Sequence, residues 1–268
     1  MTYALIYLVV GIFAGLTAGL LGIGGGIVNV PALDIIFARQ GISPEITFHM
    51  ALGTSLAIIV ITSSSAAYAH YRKGKINIRF AWRTGLSGVG GAVLGGYLAS
   101  LQPASVLEPA FGGLLILAGV RLLTDRLPEG GQERSDFRLA ALIGIVSGVG
   151  SGFFGVGGGI IAVPLLIWLV RMSPLNAVAT SSMIIVMLSI FGAGTYAVTG
   201  FHVTADIPYA LGYVHLLALI FVAPLSILTA RLGVWVAHKI DPLWLKRLVA
   251  GMSFVVGGRF VWLAFNGG

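Results

Sequence analysis

The stretch of sequence that decides the fold occurs twice in the chain. Residues 11–33 read GIFAGLTAGLLGIGGGIVNVPAL, and residues 144–166 read GIVSGVGSGFFGVGGGIIAVPLL. Seven glycines and one proline of the first stretch recur in the second at a constant spacing of 133 residues, as from Gly22 to Gly155. Because this spacing is close to half of the 268-residue chain, the pattern predicts an internal duplication.

The duplication extends into the segments that follow. Residues 51–60 read ALGTSLAIIV and residues 177–186 read AVATSSMIIV, so Thr54-Ser55 matches Thr180-Ser181. A polar stretch, TDRLPEGGQERSD, separates the two halves and is typical of a linker. We therefore expect a single membrane domain over residues 1–268, with repeat 1 in residues 1–123, the linker in residues 124–136 and repeat 2 in residues 137–268.

The composition excludes a soluble globular protein. Hydrophobic residues make up 57% of the chain and charged residues only 9%, whereas soluble domains carry about 25% charged residues. The apolar runs are long and continuous, which favours helices over the short alternating segments of a β-barrel. The net charge of +7 comes from Lys and Arg scattered among apolar runs. We expect an all-α polytopic membrane protein whose surroundings are a lipid bilayer and not a nucleic acid.

Each half contains five apolar segments. They lie at about 4–22, 27–38, 46–71, 80–100 and 106–123, and then at 138–155, 160–170, 175–198, 208–230 and 247–265. Because five is odd, the second half should cross the membrane in the opposite sense to the first. The sequence therefore predicts two inverted-topology repeats of about five transmembrane or re-entrant segments each.

The distribution of basic residues supports this inversion independently. Residues 72–79 carry four Lys or Arg, while the matching residues 199–207 carry none. After the next segment the bias is reversed, since residues 101–105 carry none and residues 231–247 carry four. The positive-inside rule then places the linker in the cytoplasm and both termini outside. We expect a multi-pass membrane protein.

The second and seventh segments are too short to cross a bilayer directly. A helix of 12 residues covers roughly 18 Å, against about 30 Å of hydrocarbon. Each segment follows a Gly-rich break and contains a proline, and proline is best placed in a first helical turn. We therefore predict that Pro31 and Pro164 begin short helices and that the preceding GIGGGIVNV and GVGGGIIAV are partly extended. Both re-entry and oblique crossing fit the length.

These Gly/Pro-broken segments are the candidate substrate site. Unpaired backbone must line protein or a polar cavity, and paired breaks in inverted halves are typical of a transporter binding site. Free N–H groups at helix starts favour a small anion. Asn29 adds an amide that its counterpart Ala162 lacks, and nearby hydroxyls could donate or could bond to their own helix. The candidates are Gly24, Gly25, Gly26, Asn29, Pro31, Thr54, Ser55, Gly157, Gly158, Gly159, Pro164, Thr180, Ser181 and Ser182.

Catalytic and metal sites find little support. Residues 85–88 read GLSG, a pattern found around intramembrane serine protease nucleophiles, and His215 is a conceivable base, but the duplication does not preserve this match. Neither Gly-rich stretch ends in Gly-Lys-Ser/Thr, so no P-loop occurs. His202 and Asp206 lack a third ligand nearby. We expect no catalytic residue, no metal and no cofactor.

The duplicated motif resembles that of the TauE/SafE sulfite exporter family, also called 4-toluene sulfonate uptake permeases. The resemblance rests on G-x-G-G-G-x-x-x-x-P at 22–31 and 155–164, on the A-x-x-T-S elements that begin at Ala51 and Ala177, and on the basic KGKI loop at 73–76. It covers nearly the whole chain. It implies a transporter of a bacterial or archaeal plasma membrane for a sulfur oxyanion or an organosulfonate.

The combined interpretation is a secondary transporter for a small sulfur-containing anion, such as sulfite, sulfoacetate or an organosulfonate. Two inverted halves would give alternating access, and export is favoured. An anion channel, a carrier for a non-sulfur anion and, from another class, an intramembrane hydrolase are the alternatives. A homo-oligomer is left open.

Overall fold

The computed structural model describes residues 2–124, 134, 136–237, 239 and 242–265. These residues form ten helices and one short hairpin. The helices are α1 (Thr2–Leu21), α2 (Gly26–Arg39), α3 (Pro44–Arg72), α4 (Ile78–Ser100), α5 (Ala104–Thr124), α6 (Phe137–Phe154), α7 (Gly159–Trp168), α8 (Pro174–Thr199), α9 (Leu216–Ala237) and α10 (Pro242–Phe265). The hairpin pairs β1 (Ala210–Leu211) with β2 (Val214–His215) in antiparallel fashion.

The predicted all-α polytopic membrane protein is confirmed. Within the described residues, six helices are long and apolar enough to cross a bilayer, namely α1, α3, α5, α6, α8 and α9. Large apolar side chains such as Leu5, Val198 and Val255 are exposed on the outside of the helices. This arrangement suits a surface that faces lipid and not water.

Helices of one half pack mainly against helices of the other. Helix α1 packs on α9 and α6 packs on α4, while α5 pairs with α10 and α3 pairs with α8 at the centre. Glycines allow these close contacts. A Cβ atom added to Gly11 would lie 2.5 Å from the carbonyl oxygen of Val222, and one added to Gly88 would lie 2.5 Å from that of Gly144. The small residues spaced four apart therefore serve helix packing.

The prolines do not begin the short helices, so that prediction is wrong. Helices α2 and α7 begin at Gly26 and Gly159 and contain Pro31 and Pro164 at their sixth positions. The predicted extended stretches are correspondingly shorter, because residues 26–30 and 159–163 are already helical. The helices begin where they do because Gly25 and Gly158 adopt left-handed backbone conformations, with φ of 81° and 78°, which stop the chain from continuing α1 or α6.

The ninth helix begins later than the predicted segment 208–230. Residues 210–215 form the hairpin, with Gly212 at φ 56°, and α9 runs from Leu216 to Ala237. Protein covers the second strand of the hairpin, where Tyr213, Val214 and His215 are buried, while Leu211 on the first strand is exposed. Most of the predicted linker, residues 124–136, lies outside the described residues, so the domain boundaries stay predictions.

Candidate functional site

The two glycine breaks lie against each other where the halves meet. The first break precedes α2 and comprises residues 22–25, and the second precedes α7 and comprises residues 155–158. A Cβ atom added to Gly26 would lie 2.5 Å from the Val156 Cα, and one added to Gly159 would lie 2.5 Å from the Ile23 Cα. Each helix start is therefore in backbone contact with the opposite break, and no side chain larger than hydrogen fits at either position.

The glycines at the two helix starts also face backbone within their own halves. A Cβ atom on Gly25 would lie 2.5 Å from the Ala14 carbonyl oxygen, and one on Gly158 would lie 2.5 Å from the Ser147 carbonyl oxygen. The left-handed backbone at both positions adds strain to any other residue. A substitution at Gly25 or Gly158 is therefore expected to disturb folding, whether or not these residues contact the substrate.

Both isoleucine and serine side chains adjoin the breaks, and the isoleucines make the closest contacts to Gly24 and Gly157. The Ile59 Cγ2 would lie 2.8 Å from a Cβ atom on Gly24, and the Ile185 Cγ2 would lie 2.8 Å from a Cβ atom on Gly157. Both isoleucines are fully buried, on α3 and α8 respectively. The breaks are thus enclosed by protein, and their unpaired backbone does not face lipid.

Two of the predicted serines join the halves reciprocally. The Ser55 Oγ donates to the Gly155 carbonyl oxygen at 2.8 Å, and the Ser181 Oγ donates to the Gly22 carbonyl oxygen at 2.9 Å. Each serine of one half therefore satisfies a carbonyl at the break of the other half. These hydroxyl hydrogens are occupied by protein in this structure.

The remaining predicted hydroxyls hold loops or their own helix. The Thr54 Oγ1 accepts from the His215 N–H at 2.9 Å, and the Thr180 Oγ1 accepts from the Asn77 N–H at 3.2 Å. The Ser182 Oγ donates to the Val178 carbonyl oxygen at 2.9 Å, one turn earlier in α8. All three contacts are structural, which favours the packing alternative for these residues.

Asn29 is the predicted side chain that the structure leaves free. It lies in the first turns of α2, where its N–H donates to the Gly25 carbonyl oxygen at 3.0 Å. The side chain is fully buried, and neither its Nδ2 nor its Oδ1 has a hydrogen-bond partner in the described part of the chain. A buried amide without partners costs about 1–3 kcal/mol, so such a group calls for a ligand or another explanation.

The starts of α2 and α7 also leave backbone donors unused. The first bonds of α2 run from Val28 and Asn29 to the Gly25 carbonyl oxygen, and those of α7 run from Ile161 and Ala162 to that of Gly158. Over the described residues, the N–H groups of the first two residues of each helix therefore have no acceptor. Such groups carry the positive end of the helix dipole.

The hairpin before α9 packs against the end of α2 and the first half of α3. The Tyr213 ring stacks on the His49 ring with centroids 5.2 Å apart, and the Phe37 and His215 rings lie 5.1 Å apart. The His215 Nδ1 accepts from the Ala218 N–H at 3.2 Å, which requires the neutral ring. Burial lowers the pKa of His215, in agreement with that bond.

The serine of the GLSG pattern has a partner on its own helix. The Ser87 Oγ donates to the Arg83 carbonyl oxygen at 2.8 Å. His215 belongs to the hairpin, where its ring packs on Phe37. The Ser87 hydroxyl is thus bonded to a backbone carbonyl and not to His215.

Comparison with known proteins identifies the family. A family model described as sulfite exporter TauE/SafE matches residues 7–260. The chain belongs to the sulfite exporter TauE/SafE family. The resemblance of the duplicated motif is therefore confirmed.

Curated relatives of this TauE/SafE chain are named as membrane transporters. A probable membrane transporter protein of Methanocaldococcus jannaschii is 30% identical over 93% of this chain and 92% of its own length. One of Haemophilus influenzae is 29% identical over 95% and 97%, and one of Bacillus subtilis is 32% identical over 70% and 76%. The chain is a membrane transporter of the TauE/SafE family.

Three ionisable residues of this TauE/SafE chain interact although they lie far apart in sequence. Asp34 on α2 interacts electrostatically with Glu108 on α5 and with Arg259 on α10. Asp34 is only partly buried and follows Asn29 by five residues on the same short helix. Our sequence analysis did not select Asp34, although a carboxylate inside an apolar, Gly-broken segment is a signal that could have singled it out.

Proposed function

We propose that this TauE/SafE protein is a secondary transporter that binds a small sulfur-containing anion between its two glycine breaks. Sulfite, sulfoacetate and organosulfonates are the candidate substrates. The observation that carries the proposal is the set of unused donors at the two helix starts: the N–H groups that begin α2 and α7, together with the buried amide of Asn29 on α2, which has no partner among the described residues.

The donors suit an anion for a simple electrostatic reason. Each helix start carries a positive charge equivalent to about half an elementary charge. Two starts in contact thus supply about one positive charge without any Lys or Arg side chain. Burial in a medium of low dielectric constant strengthens their attraction for an anion. A site built from dipoles holds its ligand without a permanent ion pair, which suits a protein that must also release it.

Alternating access follows from the proposed inverted repeats. Repeat 1 is residues 1–123 and repeat 2 is residues 137–268, with residues 124–136 as a cytoplasmic linker and both termini outside a bacterial or archaeal plasma membrane. The reciprocal bonds from Ser55 to Gly155 and from Ser181 to Gly22 cross the boundary between the halves. We propose that rocking of one half against the other exchanges these contacts and opens the site to each side in turn.

Export is the proposed direction for energetic reasons. Movement of an anion out of a negative-inside cell is favoured by about 2.3 kcal/mol per charge for each 100 mV of membrane potential. Export therefore requires no coupling ion and no nucleotide. The family description, sulfite exporter, supports both this direction and the sulfur oxyanion.

The proposed carrier is tested by counterflow of radiolabelled sulfite in proteoliposomes that contain the purified protein. Internal unlabelled sulfite should accelerate uptake of the label, and sulfoacetate and small sulfonates should compete. Uptake that internal substrate does not stimulate would indicate the alternative anion channel. Competition by sulfur-free anions alone would indicate a different substrate class.

A further inference from the structure

Three buried serines adjoin the second glycine break, and none has a hydrogen-bond partner in the described part of the chain. They are Ser147 and Ser151 on α6 and Ser189 on α8. Each side chain is fully buried. The Ser189 Oγ would lie 3.1 Å from a Cβ atom on Gly157, and the Ser151 Cβ would lie 3.2 Å from one on Gly158. Ser147 precedes Ser151 by one helical turn, and its carbonyl oxygen faces Gly158.

Most serine and threonine hydroxyls of the described helices have a partner; besides the three serines, the fully buried exceptions are Thr84 on α4 and Ser253 on α10. Serine and threonine in membrane helices commonly donate to a carbonyl of their own preceding turn. Thr62 donates to the Ile58 carbonyl oxygen in this way, at 2.6 Å, and Thr195 to that of Phe191, at 2.9 Å. The three serines next to the second break have the same opportunity, yet they bond to nothing in the described residues. A partner outside the chain would satisfy all three.

The first half lacks most of this hydroxyl set. The constant spacing of the duplicated stretch matches Ser147 and Ser151 with Ala14 and Ala18, and the later repeat matches Ser189 with Ser63. Only one of the three hydroxyls is therefore present next to the first break. The first half supplies Asn29 instead, where the second half has Ala162. The two breaks are alike in backbone but different in side-chain donors.

We propose that Ser147, Ser151 and Ser189 form a hydroxyl subsite that binds the three oxygen atoms of an SO3 group at the start of α7. This inference rests on the proposed function and deepens it, because it names the part of the substrate that is recognised and the half that recognises it. The three hydroxyls can each donate one hydrogen bond to one oxygen. The positive end of α7 favours an anion over a coupling cation at the same place. The SO3 group is the feature that sulfite and organosulfonates share.

The test uses Ser151→Ala and Ser189→Ala in the full-length protein. Each change should weaken the apparent affinity for sulfite by roughly tenfold or more in counterflow, because a hydrogen bond to a charged group is lost. Ser63→Ala is the matched control, since Ser63 is the counterpart of Ser189 next to the first break, and it should bind sulfite like the wild type. Each variant removes a buried hydroxyl and no apolar contact, so we expect both variants to fold. Thermal unfolding without substrate checks this expectation.

Competition experiments test the recognised group directly. Methanesulfonate, which has an SO3 group, should compete with sulfite in the wild type and compete less in Ser189→Ala, while acetate should compete in neither. The inference is overturned if Ser151→Ala and Ser189→Ala keep wild-type affinity while the wild type shows counterflow, an outcome that leaves the proposed function intact. It is also overturned if the two variants lose a dependence on Na⁺, measured against choline, without losing sulfite affinity. Absence of sulfite counterflow in folded wild-type protein would instead overturn the proposed function and this inference together.

Discussion

Replacement of Asn29 by alanine distinguishes two roles of its side chain. A substrate contact would be lost as weaker sulfite binding, and a structural contact would be lost as lower stability without substrate. The Asn29 amide is fully buried and lacks partners among the described residues, so the unliganded protein pays for its burial. Alanine also stands at the matching position of the second half, Ala162, which is equally buried. We therefore expect Asn29→Ala to fold. Its thermal stability without substrate should be unchanged or higher.

Asn29→Ala should change two free energies, that of unfolding and that of sulfite binding. Removal of an unsatisfied buried polar group relieves about 1–3 kcal/mol, part of which is offset by the small cavity that remains. The substrate, in contrast, loses a charge-assisted hydrogen bond worth about 1.5–3 kcal/mol, which weakens binding roughly 10- to 150-fold. At a sulfite concentration 100 times the wild-type Kd, stabilisation by ligand should fall from about 2.7 kcal/mol to about 0.9 kcal/mol for a 30-fold loss.

The assay is thermal unfolding of detergent-purified protein with and without sulfite, followed by counterflow in proteoliposomes. Ser253→Ala serves as the control, because Ser253 is also buried without a described partner but lies on α10, which packs against α5. The control should show unchanged stabilisation by sulfite. If Asn29→Ala keeps wild-type stabilisation and flux, Asn29 does not contact the substrate and the reasoning from its unpaired amide is refuted.

Three further predictions concern the fold, the topology and pH. Gly148→Ala should destabilise the protein by about 1–3 kcal/mol, because its Cβ atom would meet the Gly88 carbonyl oxygen, whereas Gly90→Ala on α4 meets open space and should be neutral or stabilising, as thermal unfolding would reveal. Single cysteines at the exposed positions of Lys75 and Asp206 should react with an impermeant maleimide from opposite faces of the membrane, and labelling from one face would contradict the inverted repeats. Burial lowers the pKa of His215, so the unfolded state binds its proton more readily; stability should fall as the pH drops below the ordinary value of 6.5, and His215→Gln should flatten this slope in a series of melting curves.

The sequence located the two breaks correctly because the signal there is local. Three consecutive glycines form a poor helix, and their recurrence at a fixed spacing in both halves indicates a break at each place. The proline prediction was wrong because Pro31 and Pro164 lie inside their helices, where each removes one backbone hydrogen bond without ending the helix. The left-handed glycines, Gly25 and Gly158, decide where the helices begin.

The roles of the side chains depended on contacts that spacing does not reveal. The sequence left open whether Ser55 and Ser181 donate to a ligand or to their own helix, and the structure shows that each finds a carbonyl in the opposite half. The start of α9 was misplaced because residues 208–215 are apolar enough for a membrane segment, yet residues 210–215 form a hairpin in which Tyr213, Val214 and His215 are buried by protein. Asn29 was identified because an amide in an apolar helix is conspicuous, and its lack of partners adds to that reasoning.

The most direct test of the central proposal is the stoichiometry of sulfite binding to purified protein. The two breaks are in contact, and we propose that their donors bind one anion, so equilibrium binding of radiolabelled sulfite should saturate at one ion per chain. Excess unlabelled methanesulfonate should displace it, and Asn29→Ala should shift the curve to higher concentration. Two independent sites per chain, or no saturable binding by folded protein, would contradict a single anion site between the halves.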